Sequence, residues 1–157
     1  MYRILRIARR DYIAAVFTKG FLIGLVLFLV GHVVYAVVWT VANGFHAPDL
    51  ISAAVVLALA ILVFLYLRPG LESMQVPVVL YILIICFMVN RGLSTFSGSY
   101  FTATQDWLIT AGAILFWLSD LMLAVNRFRR PFKAEPLGLF LYYGGQALIA
   151  LSASYFA

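Results

Sequence analysis

The chain has 157 residues, of which 65% are hydrophobic and only 11% are charged. A soluble domain carries about 45–50% apolar and about 25% charged residues, so a water-soluble fold is excluded, and so is disorder, which needs low hydrophobicity. The net charge of +5 does not point to nucleic acid, because the basic residues cluster beside long apolar runs, as topology signals do.

Residues 1–19 interleave arginines with Tyr2, Ile4, Leu5, Ile7 and Ala8 in a helix-like pattern. Two readings stand: a basic amphipathic helix on an anionic membrane surface, or the remainder of a spanning helix. Four arginines oppose insertion. No short apolar stretch with a small-residue cleavage site follows, so a cleaved signal peptide is not expected. From residue 20 onward, runs near 20 apolar residues long predict five spans, at about 20–41, 50–67, 76–90, 107–125 and 137–156. The second is closed by Arg68-Pro69-Gly70, a helix stop. The third opens at Val76-Pro77, with proline in the first turn, and is short. Cys86 inside it excludes a disulfide framework and reads as a small core or lipid-facing residue. Residues 92–106 read as an outer loop, with Tyr100, Phe101 and Trp107 suited to the interface belt. No linker divides the chain. The expected architecture is all-α: a polytopic transmembrane helix bundle over 20–157, preceded by the basic segment 1–19.

Lys and Arg set the direction. With the N-terminus in the cytoplasm, Arg3, Arg6, Arg9, Arg10, Lys19, Arg68, Arg127, Arg129, Arg130 and Lys133 fall inside and only Arg91 falls outside. This bias supports the span count, because a missed helix would scramble it. Parity then puts the C-terminus outside. The lean bundle and the short third span are compatible with a homodimer.

Three spans share a local pattern: Gly24…Gly31-His32, Gly112…Ser119-Asp120 and Gly138…Gly145-Gln146. Seven residues are close to two helical turns, so both small residues lie on one face and permit close helix approach. The polar residue that follows is thereby aimed toward a helix–helix seam. Chance recurrence explains the pattern as well as internal duplication does, but the packing inference needs neither.

Asp120 is the sharpest feature. An aspartate inside a span costs about 2.5–3.5 kcal/mol to insert and by default faces the bundle interior, either for function or to pair with an arginine. It lies about six residues, roughly 9 Å, from the cytoplasmic end of its span. His32 lies roughly 18 Å deep by the same arithmetic, with Tyr35 on its face, and Gln146 roughly 14 Å. Both read as helix–helix contacts or as lining of a pocket. Tyr81, Tyr142 and Tyr143 fall at about the depth of Asp120. Motifs for serine hydrolases, zincins, P-loops and Cys/His metal clusters are absent from the sequence.

The fourth span, Gly112-Ala113-Ile114-Leu115-Phe116-Trp117-Leu118-Ser119-Asp120-Leu121-Met122-Leu123-Ala124-Val125-Asn126-Arg127-Phe128, strongly resembles the YhhN-like, or lysoplasmalogenase, family of membrane proteins. Three further stretches agree in order: Phe21 to Gly24 with Phe28, His32 and Tyr35; Val76-Pro77-Val78 with Tyr81 and Met88; and Tyr142-Tyr143 with Gln146 to Ala150. The resemblance covers about Phe21 to the C-terminus. It implies a longer family pattern of about eight helices, of which this chain is an N-terminally short example. It also implies an earlier acid; Asp11 stands at a compatible distance, although Arg9-Arg10 precedes it.

What the resemblance implies is hydrolysis of the vinyl ether bond of a lysoplasmalogen to a fatty aldehyde and a glycerophospho-alcohol. Such a reaction needs a proton delivered to carbon, an oxocarbenium-like cation stabilised, and a water added. A carboxylic acid in a low-dielectric seam is suited to the first two tasks, and two acids dividing the roles would parallel glycoside hydrolysis. On this reading Asp120 is the central catalytic acid or base, with Asp11 or a residue of a missing N-terminal segment as its partner. His32, Tyr35, Tyr81, Tyr143 and Gln146 line the pocket, and Arg127 with its basic neighbours holds the lipid phosphate. No metal or cofactor is called for. The expected partners are a lysophospholipid substrate and membrane lipid. A shortened, non-catalytic relative that binds lipid or a partner helix, and a small transporter, remain as alternatives.

Overall fold

The computed structural model describes the backbone of residues 2–130 and 135–156, and most side chains from residue 23 onward. Its helices are α1 (Tyr2–Asn43), α2 (Asp49–Leu67), α3 (Gln75–Ser94), α4 (Ala103–Phe128) and α5 (Glu135–Ala153). No strand occurs among the described residues. All five helices carry a stretch long and apolar enough to cross a membrane, and their outward faces are apolar: Val41 is 81% exposed, Leu50 77% and Leu62 62%. In water such faces would drive aggregation; in a bilayer they meet lipid, while the helices satisfy their own backbone groups. This is the architecture of a multi-pass membrane protein.

Hydropathy locates all five spans but misplaces the boundary between the third and fourth. α3 runs to Ser94 and α4 begins at Ala103, so the third helix is of full span length and the loop expected over 92–106 shrinks from both sides. Two local causes act. Thr102 and Gln105 form a capping box, with the Thr102 amide donating to Gln105 Oε1 at 2.9 Å, which starts α4 early. At the other side, the Gly92 carbonyl accepts from both Thr95 Oγ1 and Thr110 Oγ1 at 2.9 Å, tying the end of α3 to α4. Phe101, expected at the interface, is buried in the core, whereas Tyr100 and Trp107 stay exposed. Cys86 is a core residue.

α3 is central and packs on α1, α2 and α4, while α5 packs chiefly on α4. The small-residue pattern explains the last pair. A Cβ on Gly145 would fall 2.8 Å from the Gly112 carbonyl oxygen, and one on Gly112 would fall 2.9 Å from the Gly145 carbonyl oxygen. One heptad along, Ser119 Oγ donates to the Gly138 carbonyl at 3.0 Å. The two patterns therefore meet antiparallel and in step, small residue against small residue. The third copy differs: a Cβ on Gly24 or Gly31 would meet nothing within 4 Å.

The two ends of the bundle are built differently. At one end the Arg68-Pro69-Gly70 turn lies so close to the end of α4 that a Cβ on Gly70 would sit 1.6 Å from the Phe128 carbonyl oxygen. At the other end Arg91 is fully buried. Its guanidinium donates to Asp49 Oδ2 at 2.8 Å and to the Gly44 carbonyl, and lies over the Phe45 ring at 4.5 Å. Asn90 donates to the Asp49 carbonyl and to Ser52 Oγ. A charge cut off from water survives only when paired and hydrogen-bonded, and this cluster ties the α1–α2 connection to α3.

Candidate functional site

Asp120 and His32 come from helices that meet largely through large side chains. Asp120 lies eight residues from the end of α4, about 12 Å at 1.5 Å per residue. His32 Nε2 on α1 stands 3.4 Å from its carboxylate, so the two are level, and both are buried.

His32 Nδ1 lies 2.5 Å from the Phe28 carbonyl oxygen one turn back. Its Nε2 faces Asp120 Oδ2 at 3.4 Å, longer than a good hydrogen bond, and has no other polar partner. The Tyr81 hydroxyl donates to the same Oδ2 from α3. The imidazole is held edge-on between Phe116, with centroids 4.7 Å apart, and Tyr81 at 5.5 Å. Three helices thus converge on one carboxylate oxygen.

Beside it lies a cavity of about 180 Å³ between α1, α2, α3 and α4. Gly24 and Phe28 line it from α1, Val63 and Leu67 from α2, Val78, Tyr81, Ile82 and Ile85 from α3, and Trp117, Asp120, Leu121, Leu123, Ala124 and Phe128 from α4. Asp120 is the one carboxylate among the described lining residues, and the rest of that wall is almost wholly apolar. The volume compares with an apolar cavity of roughly 150 Å³ that admits benzene, so a short segment of hydrocarbon chain fits. Near the Phe128 end, Arg68, Arg127, Arg129 and Arg130 are exposed, and the Arg129 guanidinium lies 5.2 Å from the Tyr66 ring centre.

The other residues singled out in the sequence are placed as follows. Tyr35 donates its hydroxyl to Gln146 Oε1 at 2.7 Å and stacks on Trp39, stitching α1 to α5 away from the cavity wall. Tyr143 is 65% exposed and touches Tyr142; it does not reach Asp120. Tyr142 packs on Phe28 and Phe116. The Asp11 side chain lies outside the described residues. Missed in the sequence were Phe28 and Trp117 as cavity walls, and the Asp49–Arg91 pair. Phe28 recurs at i, i+4 from Gly24, a face signal that was available. Asp49 and Arg91 stand at the same end of neighbouring antiparallel spans, and that parity was also readable.

Chemically, the group can give and take a proton at the wall of an apolar slot. It has no serine nucleophile to activate: the adjacent Ser119 donates into the α5 backbone. Among the described residues no group of three or more His, Cys, Asp or Glu side chains is arranged to hold a metal ion.

Comparison with known proteins gives consistent findings. A family model described as YhhN family matches residues 11–153. Lysoplasmalogenase TMEM86A of Bos taurus is 33% identical over 138 residues, and that of Homo sapiens is 34% identical over 140; each alignment takes in 85% of this chain and 55% of the relative. The chain thus spans about half the length of these relatives. No solved structure matches it.

Proposed function

The chain belongs to the YhhN family, and from that premise we propose that it is an integral membrane hydrolase that cleaves the vinyl ether bond of a lysoplasmalogen. The observation that carries this reading is the Asp120 carboxylate, set in the wall of an apolar cavity, with Tyr81 donating to it and His32 facing it. The lipid enters sideways between helices. Its phosphate rests among Arg68, Arg127, Arg129 and Arg130 at the rim, its vinyl ether reaches Asp120, and its chain runs into the slot.

Asp120 delivers a proton to the outer vinyl carbon, and the oxocarbenium ion that forms is stabilised by the carboxylate left behind. Water adds to the carbon bearing oxygen. The hemiacetal then collapses, breaking its carbon–oxygen bond to release a fatty aldehyde and the glycerophospho-alcohol. One water is consumed and the site recovers its proton. The rim, with Arg68 and the end of α4 on one side, lies in the cytoplasm, and Arg91 marks the opposite side.

The direct test is turnover of a 1-alkenyl lysophospholipid in heavy water. Protonation at carbon puts one deuterium on the carbon next to the aldehyde, and oxygen from labelled water appears in the aldehyde and not in the alcohol. No aldehyde, or oxygen label in the alcohol, refutes the reading. A lipid-binding relative without chemistry is the second reading, favoured by the presence of one carboxylate among the described residues of the cavity wall. It predicts binding of the same lipid with no aldehyde.

A further inference from the structure

The hydrogen-bond inventory around His32 leaves an unassigned proton. The Phe28 carbonyl can only accept, so His32 Nδ1, 2.5 Å away, carries a hydrogen. In a neutral ring Nε2 is then a bare acceptor. It is buried, lacks any other partner, and faces a second acceptor, Asp120 Oδ2, at 3.4 Å. Two acceptors facing each other in an apolar seam are unfavourable, since both are desolvated and no hydrogen lies between them. Protonating either one resolves the conflict. The Tyr81 hydroxyl does not, because its proton already goes to Oδ2. Among the described residues the rest of the surroundings supply no charge: Phe116 on α4 and Tyr142 on α5 contribute rings, and α2 presents Val63 and Leu67 to the cavity.

We infer that His32 and Asp120 hold one proton between them, either as imidazolium with carboxylate or as imidazole with carboxylic acid, and that His32 is the positioning residue that keeps Asp120 loaded. It does not line the cavity, so it acts through Asp120. Resting on the hydrolase reading, it supplies a second proton-holding group beside Asp120. The proton that Asp120 gives to carbon leaves the pair, and the proton released when water adds returns to it.

The test has two arms. The first is nitrogen NMR of histidine-labelled full-length protein in detergent. A His46→Gln background removes the other histidine of this two-histidine chain. The expected result is a hydrogen on Nδ1 and an Nε2 signal that moves in Asp120→Asn while Nδ1 stays put. A ring protonated on Nε2 with bare Nδ1, or an Nε2 signal indifferent to Asp120→Asn, overturns the inference whether or not the protein turns over lipid. The second arm compares His32→Gln with the parent across a pH series. A positioning role predicts a fall in kcat of about 10²-fold or more, little change in KM, and loss of one limb of the pH profile. A folded His32→Gln protein with the parental profile overturns the loading role. Tautomer evidence as expected with no aldehyde from the parent leaves the shared proton standing and refutes the hydrolase reading alone.

Discussion

Replacing Gly145 by alanine should loosen the bundle, and the structure says by how much. The new Cβ would lie 2.8 Å from the Gly112 carbonyl oxygen and 3.0 Å from the Phe116 amide nitrogen, where ordinary contact begins at 3.4 Å. Both obstacles are backbone, so no side chain can swing away and α4 and α5 must separate. Opening a packed seam by about 0.5–1 Å forfeits a quarter to a half of each dispersion contact across it, and overpacking of this kind costs about 1–3 kcal/mol. Alanine also gains up to about 1 kcal/mol in helix propensity. Gly31→Ala gains the same but meets nothing within 4 Å, so the difference between the two variants isolates the clash. Thermal unfolding in detergent should place Gly145→Ala below Gly31→Ala by about 1–3 kcal/mol. Equal stability, or a more stable Gly145→Ala, would refute the close α4–α5 packing.

Other perturbations follow from the same geometry. Arg91→Met leaves Asp49 buried and unpaired and should cost about 3–5 kcal/mol, whereas combining it with Asp49→Leu should recover most of that loss; denaturation of the two proteins in detergent decides it. Gly24 lines the cavity and has open space at its Cβ, so Gly24→Leu should fill the slot without unfolding the protein. Its expected effect is a rise in KM for an alkenyl lysophospholipid of about tenfold or more, and parental kinetics in a folded variant would show that the chain does not occupy that space.

The sequence carried the fold further than the site. Long apolar runs name membrane helices because every backbone group in lipid must be satisfied within its own segment, and the gathering of every Lys and Arg but Arg91 on one expected side agreed with the span count. The boundary was lost where buried polar residues lower local hydropathy: the expected span stops at Asn90, but Arg91 and Ser94 beyond it also belong to α3. Only their partners on other elements, Asp49, Ser52 and Asn43, make them compatible with burial. The heptad of small residues predicted a close seam and was right for α4 and α5, yet silent on α1, where Gly24 faces a cavity instead of a helix. Asp120 stood out alone because its cost in lipid is large. That His32 would meet it was not readable, since the lateral placement of α1 depends on its packing against α3.

The account centres on Asp120 as the proton donor of a vinyl ether hydrolase. Aldehyde release from a 1-alkenyl lysophospholipid by the purified protein, with Asp120→Asn measured beside it, tests that claim most directly. The account predicts release by the parent and a loss of about 10²–10⁴-fold or more in a variant that keeps the parent's thermal stability. Release by folded Asp120→Asn at the parental rate would contradict it.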